Sequence, residues 1–230
     1  MGAEIEIAKF SSVASEFIDS LSREQKDFVY LKEDASIGSD GAELVTMPAT
    51  LDAFAKVFPF EELDEARRMG ARSFAYASCG FHIHVARSAF SATHLWRFVK
   101  FQLNNPELCQ FIAQRETSNY ATWDYEESER SSLPDYVKGK KSNGRRYLAI
   151  NFQNHQTVEL RYFKGNILEN AILKNMEFVQ SVYDYTKDMS IRAVMQGGLS
   201  ESSYHAWLEQ QDAYENLKYF IVNSQSQESY

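Results

Sequence analysis

Residues 78–87 read SCGFHIHVAR, two histidines one residue apart inside an otherwise apolar run. Side chains of a strand alternate between faces, so His82 and His84 share one face while Phe81, Ile83 and Val85 share the other. The design recurs twice. GAEIEIA at 2–8 sets Glu4 with Glu6 against Ile5 and Ile7, and TVELRYF at 157–163 sets Glu159 with Arg161 against Val158, Leu160 and Tyr162. These segments predict a sheet with one apolar face for helices to cover and one ionisable face. A wet face is ordinary in an antiparallel sheet. Here, however, Glu and His fill the polar positions of the three segments where Lys, Thr and Ser are the usual choices. Carboxylates about 4 Å apart repel by about 4 kcal/mol at an effective dielectric of about 20. On neighbouring strands they need a cation, either Arg161 or a divalent metal. Several carboxylates with one imidazole suit Mg²⁺ or Mn²⁺ better than a zinc site of thiolates and histidines.

Around these strands the pattern alternates between elements. Ser11 or Ser12 is placed to cap a helix carrying Val13, Phe17 and Leu21. FVYLK at 28–32 and AELVTM at 42–47 predict strands around the turn-rich EDASIGSDG. Helix is expected from Leu51, interrupted at Pro59 and stopped at Gly70. Two further helices carry Leu95, Phe98 and Val99, and, after Pro106, Leu108, Phe111 and Ile112. RRYLAINF at 145–152 and TVELRYF flank QNHQ as a hairpin. Helices are expected over 167–189 and 201–221. Residues 117–144 show no clear periodicity, the kind of long loop that is often functional. With no repeat and no linker, the expectation is one α+β domain over 1–222, its sheet antiparallel or mixed, with the loop at 117–144, a helical part at 167–222 and a polar tail at 223–230.

Composition narrows the function classes. The 230 residues carry a formal charge of −8, which argues against a surface built to neutralise nucleic acid. Cys79 and Cys109 are too few for a disulfide scaffold. No run of about 18 apolar residues occurs, and the N-terminal carboxylates do not fit an export signal. A cytoplasmic protein with no membrane and no nucleic-acid partner is expected.

The ordered series GAEIEIA, KEDASIGSDGAELVTMP, CGFHIHVA, RRYLAINF and TVELRYFKG resembles the motifs of the amidoligase family, carboxylate-amine ligases with a glutamine-synthetase-like fold that are related to γ-glutamylcysteine ligase. The resemblance runs from Gly2 to about Ile172. It implies an ATP-dependent reaction in which a carboxylate is phosphorylated and an amine then displaces phosphate to form an amide. It further implies Glu4, Glu6, Glu43, His82 and Glu159 as ligands of Mg²⁺ or Mn²⁺, and Arg161 as the arginine on the transferred phosphate. Arg146, or Arg145 in its place, resembles a second phosphate-contacting arginine, and Asn151 a site-lining amide. His84, Asp34 and Ser36 match substrate-side positions. The implied partners are small-molecule or peptide carboxylates and amines. The family's common Gly-Thr is here Gly165-Asn166, a departure at the nucleotide or substrate pocket. Two other classes stay open. A zinc hydrolase using the H-x-H pair predicts further His or Asp ligands at strand ends. A non-catalytic descendant binds nucleotide, peptide or protein.

Overall fold

Alternating apolar residues draw strand β1, Gly2–Ile7, into the middle of a sheet, because Ile5 and Ile7 are both fully buried on the face opposite Glu4 and Glu6. The fold is given by a computed structural model that describes residues 1–34, 37–142 and 144–227. Five further strands follow: β2 (Val29–Lys32), β3 (Ala42–Thr46), β4 (Gly80–Ala86), β5 (Ile150–Asn151) and β6 (Thr157–Lys164). They make one open antiparallel sheet in the order β2-β3-β1-β4-β6-β5, so the architecture is α+β, as the sequence predicts. Two compact units divide the chain, Met1–His84 with Phe163–Leu173, and Val85–Tyr162 with the stretch from Lys174 onward. Strands β4 and β6 contribute residues to each.

In the first unit, register fixes what shares a face. Glu6 lies opposite Glu43 and Ile5 opposite Leu44 across β1 and β3, while Glu4 lies opposite His82 and Ile5 opposite Phe81 across β1 and β4. Leu31, Leu44, Ile5 and Phe81 thus form an apolar row on the reverse face. Phe163, from the end of β6, adds its ring to Phe81 at a 6.1 Å centroid distance. Helices α1 (Ala14–Ser20), α2 (Arg23–Phe28), α3 (Leu51–Val57) and α4 (Phe60–Arg68) carry the remaining apolar mass. Phe54 of α3, fully buried, stacks on Phe58 at 4.7 Å and meets Phe28 at 5.9 Å. Helix α1 is not capped by Ser11 or Ser12: its N-cap is Val13, which has no side chain to offer the backbone, so the start rests on burial of Val13 and Phe17. Helix α2 has no counterpart in the expected elements. Six residues are too few for periodicity, and the signal lies instead in the reciprocal capping box of Ser22 and Gln25.

The second unit is built on α5 (Ala92–Asn104) and α9 (Glu169–Lys187), whose first residues precede the unit boundary. Ser91 caps α5, and Pro106 opens α6 (Pro106–Ala113) at a position where a missing N–H costs nothing. The apolar face of β6 is buried, and Tyr162 donates its hydroxyl hydrogen to Gln102 of α5 at 2.7 Å. Residues 117–144 are not a bare loop among the described residues: α7 (Glu127–Ser131) and α8 (Leu133–Val137) lie inside, and Leu133, Tyr136 and Val137 are buried. Five-residue helices leave no readable period. The hairpin is shorter than expected, since only Ile150–Asn151 forms β5. Part of the backbone just before it pairs elsewhere: Thr122 N–H donates to Tyr147 O at 2.8 Å and Ala149 N–H to Thr122 O at 2.9 Å, while Ala149 O still accepts from Arg161 N–H of β6 at 2.8 Å. The segment 201–221 is not one helix. After α10 (Ile191–Met195) come α11 (Glu201–Leu208) and α12 (Glu215–Gln227), separated where Tyr214 adopts φ 66°, which no α-helix accommodates. Helix α12 also continues into the expected tail.

Candidate metal centre

Three carboxylates and two imidazoles gather on one face of the first unit because β3, β1 and β4 are neighbours in register. Glu43, Glu6 and His82 each bring a ligand-type atom within 4.8 Å of the others. All three are buried, at 3%, 5% and 5% exposure, so this is no solvated face. Glu4 adds a half-buried carboxylate 3.7 Å from His82 Nδ1, and His84 Nε2 lies 3.3 Å from its other oxygen. His82 Nε2 is 3.9 Å from Glu6. The two histidines read in the sequence as a polar pair therefore face carboxylates, each approaching a different oxygen of Glu4.

The backbone locks Glu6 in place. Gly80 N–H donates to Glu6 Oε2 at 2.5 Å, and the Ser73 hydroxyl donates to Glu6 O at 2.7 Å. Like charges directly opposite one another on adjacent strands destabilise a sheet, and Glu6 and Glu43 are such a pair. The offsetting cation in this unit is a residue the sequence reading passed over. Lys32, on the edge strand β2, lies opposite Glu43 and donates from Nζ to its Oε2 at 2.7 Å. The signal was present in FVYLK next to AELVT, but it takes the antiparallel register, not composition, to place Lys32 there.

The titration shifts follow from these contacts. Burial raises the Glu43 carboxyl above its ordinary value, and the nearby Glu4 charge pushes the same way against the pull of Lys32. Burial would also raise Glu4, but hydrogen bonds to His82 and His84 overcome it and hold that carboxyl well below the usual range. The Lys32 ammonium is held above its ordinary value, first by its hydrogen bond to Glu43.

Asp34 lies just beyond β2 and its charge acts on Lys32, while Ser36 lies outside the described residues. The remaining site residues belong to the second unit. Asn151 lies opposite Glu159, and its amide donates to Glu159 Oε2 at 2.8 Å. Arg161 closes on Glu159 Oε1 through Nη1. Arg161 and Arg146 both set their guanidinium groups against the Tyr147 ring, each 5.8 Å from its centroid. Arg145 points to different work, since its Nε donates to Glu129 at 2.9 Å and its Nη2 to Asp124 O at 2.6 Å. Between the two arginines, geometry therefore groups Arg146 with Arg161.

The other histidines do not extend the H-x-H pair. His94 bonds Tyr183 O at 3.0 Å within an aromatic group, and His205 faces Glu201 at 3.5 Å along its own helix. Burial pushes the Cys79 thiol up to about 11, which leaves no nucleophilic thiolate at neutral pH. Phe98 and Phe101 are fully buried core.

The donor set of Glu6, Glu43 and His82, with Glu4 beside it, is oxygen-rich with nitrogen and lacks sulfur. That chemistry fits Mg²⁺ or Mn²⁺. Comparison with known proteins finds no protein-family model that matches the chain and no curated protein that matches it.

Proposed function

We propose that the chain is an ATP- and divalent-metal-dependent carboxylate-amine ligase of glutamine-synthetase-like fold, acting in the cytoplasm on an amino acid, peptide or protein side chain. One observation carries the reading: Glu6, Glu43 and His82 are buried within 4.8 Å of one another, on a row where two carboxylates face each other directly. Burying like charges is costly unless a cation is to be held there.

Glu4, Glu6, Glu43 and His82 hold the metal by this account. When bound, ATP supplies the phosphoryl group that activates a carboxylate for attack by an amine, and Mg²⁺ or Mn²⁺ neutralises the phosphate oxygens. Gly80 and Ser73 keep Glu6 oriented through their hydrogen bonds to it. His84, poised on Glu4, and Asp34 and Ser36 after β2 are assigned to the substrate side. Arg161 and Arg146 provide fixed positive charge for the phosphate, with Glu159 and Asn151 holding Arg161 and its strand in place.

A second reading, a non-catalytic descendant that binds nucleotide, peptide or protein, is favoured by the internal pairing of Lys32 with Glu43 and Arg161 with Glu159. One assay separates the two. Purified protein is incubated with Mg²⁺, ATP and pools of amino acids, polyamines and peptides, and phosphate release is followed for wild type, His82→Ala and Glu159→Ala. Amine-dependent release of ADP and phosphate that both variants lose supports the ligase. Nucleotide binding without turnover supports the second reading, and hydrolysis without ATP refutes both.

A further inference from the structure

Resting on the metal reading above, we infer that Lys32 is a built-in competitor of the divalent ion, a side chain that neutralises Glu43 in the free protein and swings into solvent when metal binds. Three observations lead there. Lys32, Glu43 and Glu6 lie in one cross-strand row, so the ammonium sits at the end of the charge pair that the metal has to bridge. Its contact is a direct charge-assisted bond of 2.7 Å to Glu43, a member of the ligand group.

The two partners also differ in freedom. The Glu43 side chain is 3% exposed, on β3 with a strand on each side, whereas the Lys32 side chain is 56% exposed at the last residue of edge strand β2. When the pair separates, Glu43 stays and Lys32 moves, because an exposed lysine regains its hydration and rotamer freedom at little cost. The arrangement lets the sheet fold without metal, since the like-charge pair has a resident cation. Metal affinity is correspondingly reduced by the work of displacing it. Charge on an edge strand also blocks pairing with another sheet, and this second role is compatible with the first.

Mn²⁺ affinity, read from the electron paramagnetic resonance signal of the free ion, tests this in wild type, Lys32→Met and Lys32→Gln. Both variants are expected to bind Mn²⁺ about tenfold more tightly than wild type, the factor that corresponds to about 1.4 kcal/mol. A parallel measurement on wild type avoids dependence on variant folding: the Lys32 side-chain ¹H–¹⁵N signal, held by Glu43 in the free protein, is expected to exchange away at saturating Mg²⁺. Equal or weaker Mn²⁺ binding by folded variants, or a Lys32 signal unchanged by saturating Mg²⁺, overturns the competition while leaving the metal centre standing. No Mn²⁺ binding by wild type or by either variant overturns the metal reading and this inference with it.

Discussion

Replacing Glu43 by Gln should stabilise the metal-free protein while weakening its hold on metal, a pair of opposite effects that a purely structural carboxylate does not produce. The donor atoms of Glu43 and Glu6 lie within 4.8 Å. At an effective dielectric of about 20, two unit charges at that separation repel by about 3.5 kcal/mol. Against this stands Lys32, whose bond to Glu43 comes from a largely exposed arm and contributes about 1 kcal/mol or less. After allowance for the hydrogen bond that the amide makes less strongly, a net gain of about 1 to 2 kcal/mol is expected at pH 7 in the presence of chelator. In urea the midpoint should rise by about 0.5 to 1 M. The pH dependence has a fixed sign. Glu43 in the folded state binds its proton more tightly than its ordinary value of 4.5, so its cost appears as pH rises through that shifted range and is absent well below it. The advantage of the variant should therefore vanish at about pH 4. Mn²⁺ affinity should fall at least about tenfold. A variant that is less stable than wild type in chelator by more than about 1 kcal/mol, or that binds Mn²⁺ unchanged, refutes the reasoning.

Three other outcomes follow from the structure. Burial lowers Lys174 from 10.5 to about 7, with its ammonium between Ile112 O, Gln114 and the Phe220 ring; the unfolded chain then holds the extra proton between those values, so stability should fall as pH drops from about 10 toward 7, and Lys174→Met should flatten that slope by about 1.4 kcal/mol per pH unit in urea titrations at several pH values. Gly165→Ala should cost about 1 to 3 kcal/mol by thermal melting, because a Cβ there meets Ser73 Oγ at 2.4 Å and the Cys79 backbone at 3.0 Å. Ser22→Ala should cost about 1 kcal/mol through loss of the capping box of α2, and an unchanged melting curve would rule out that role for it.

The parts of the fold legible in the sequence are those where a local rule acts alone. Alternation of Glu4 and Glu6 with Ile5 and Ile7, and of His82 and His84 with Phe81 and Ile83, is enough to assign faces on β1 and β4. Helices α5 and α9 are long enough to show their period. The short elements α2, α7 and α8 are not, and the collapse of the expected strand 145–152 to Ile150–Asn151 follows from Thr122 capturing the backbone of Tyr147 and Ala149, a long-range contact with no local signature. The same distinction holds at the site. That Glu4 and Glu6 share a face is a property of one strand, whereas Glu6 opposite Glu43, and Lys32 opposite Glu43, depend on register between strands. Burial of Glu6, Glu43 and His82 is likewise a tertiary fact, which alternation along a single strand does not give.

The most direct test of the metal centre is a crystal soaked in Mn²⁺ and measured for anomalous scattering. A single strong peak coordinated by Glu6, Glu43 and His82, with Lys32 turned away from Glu43, is the predicted result. Soaked crystals that show no peak there, with Lys32 still bonded to Glu43 at saturating Mn²⁺, would contradict it.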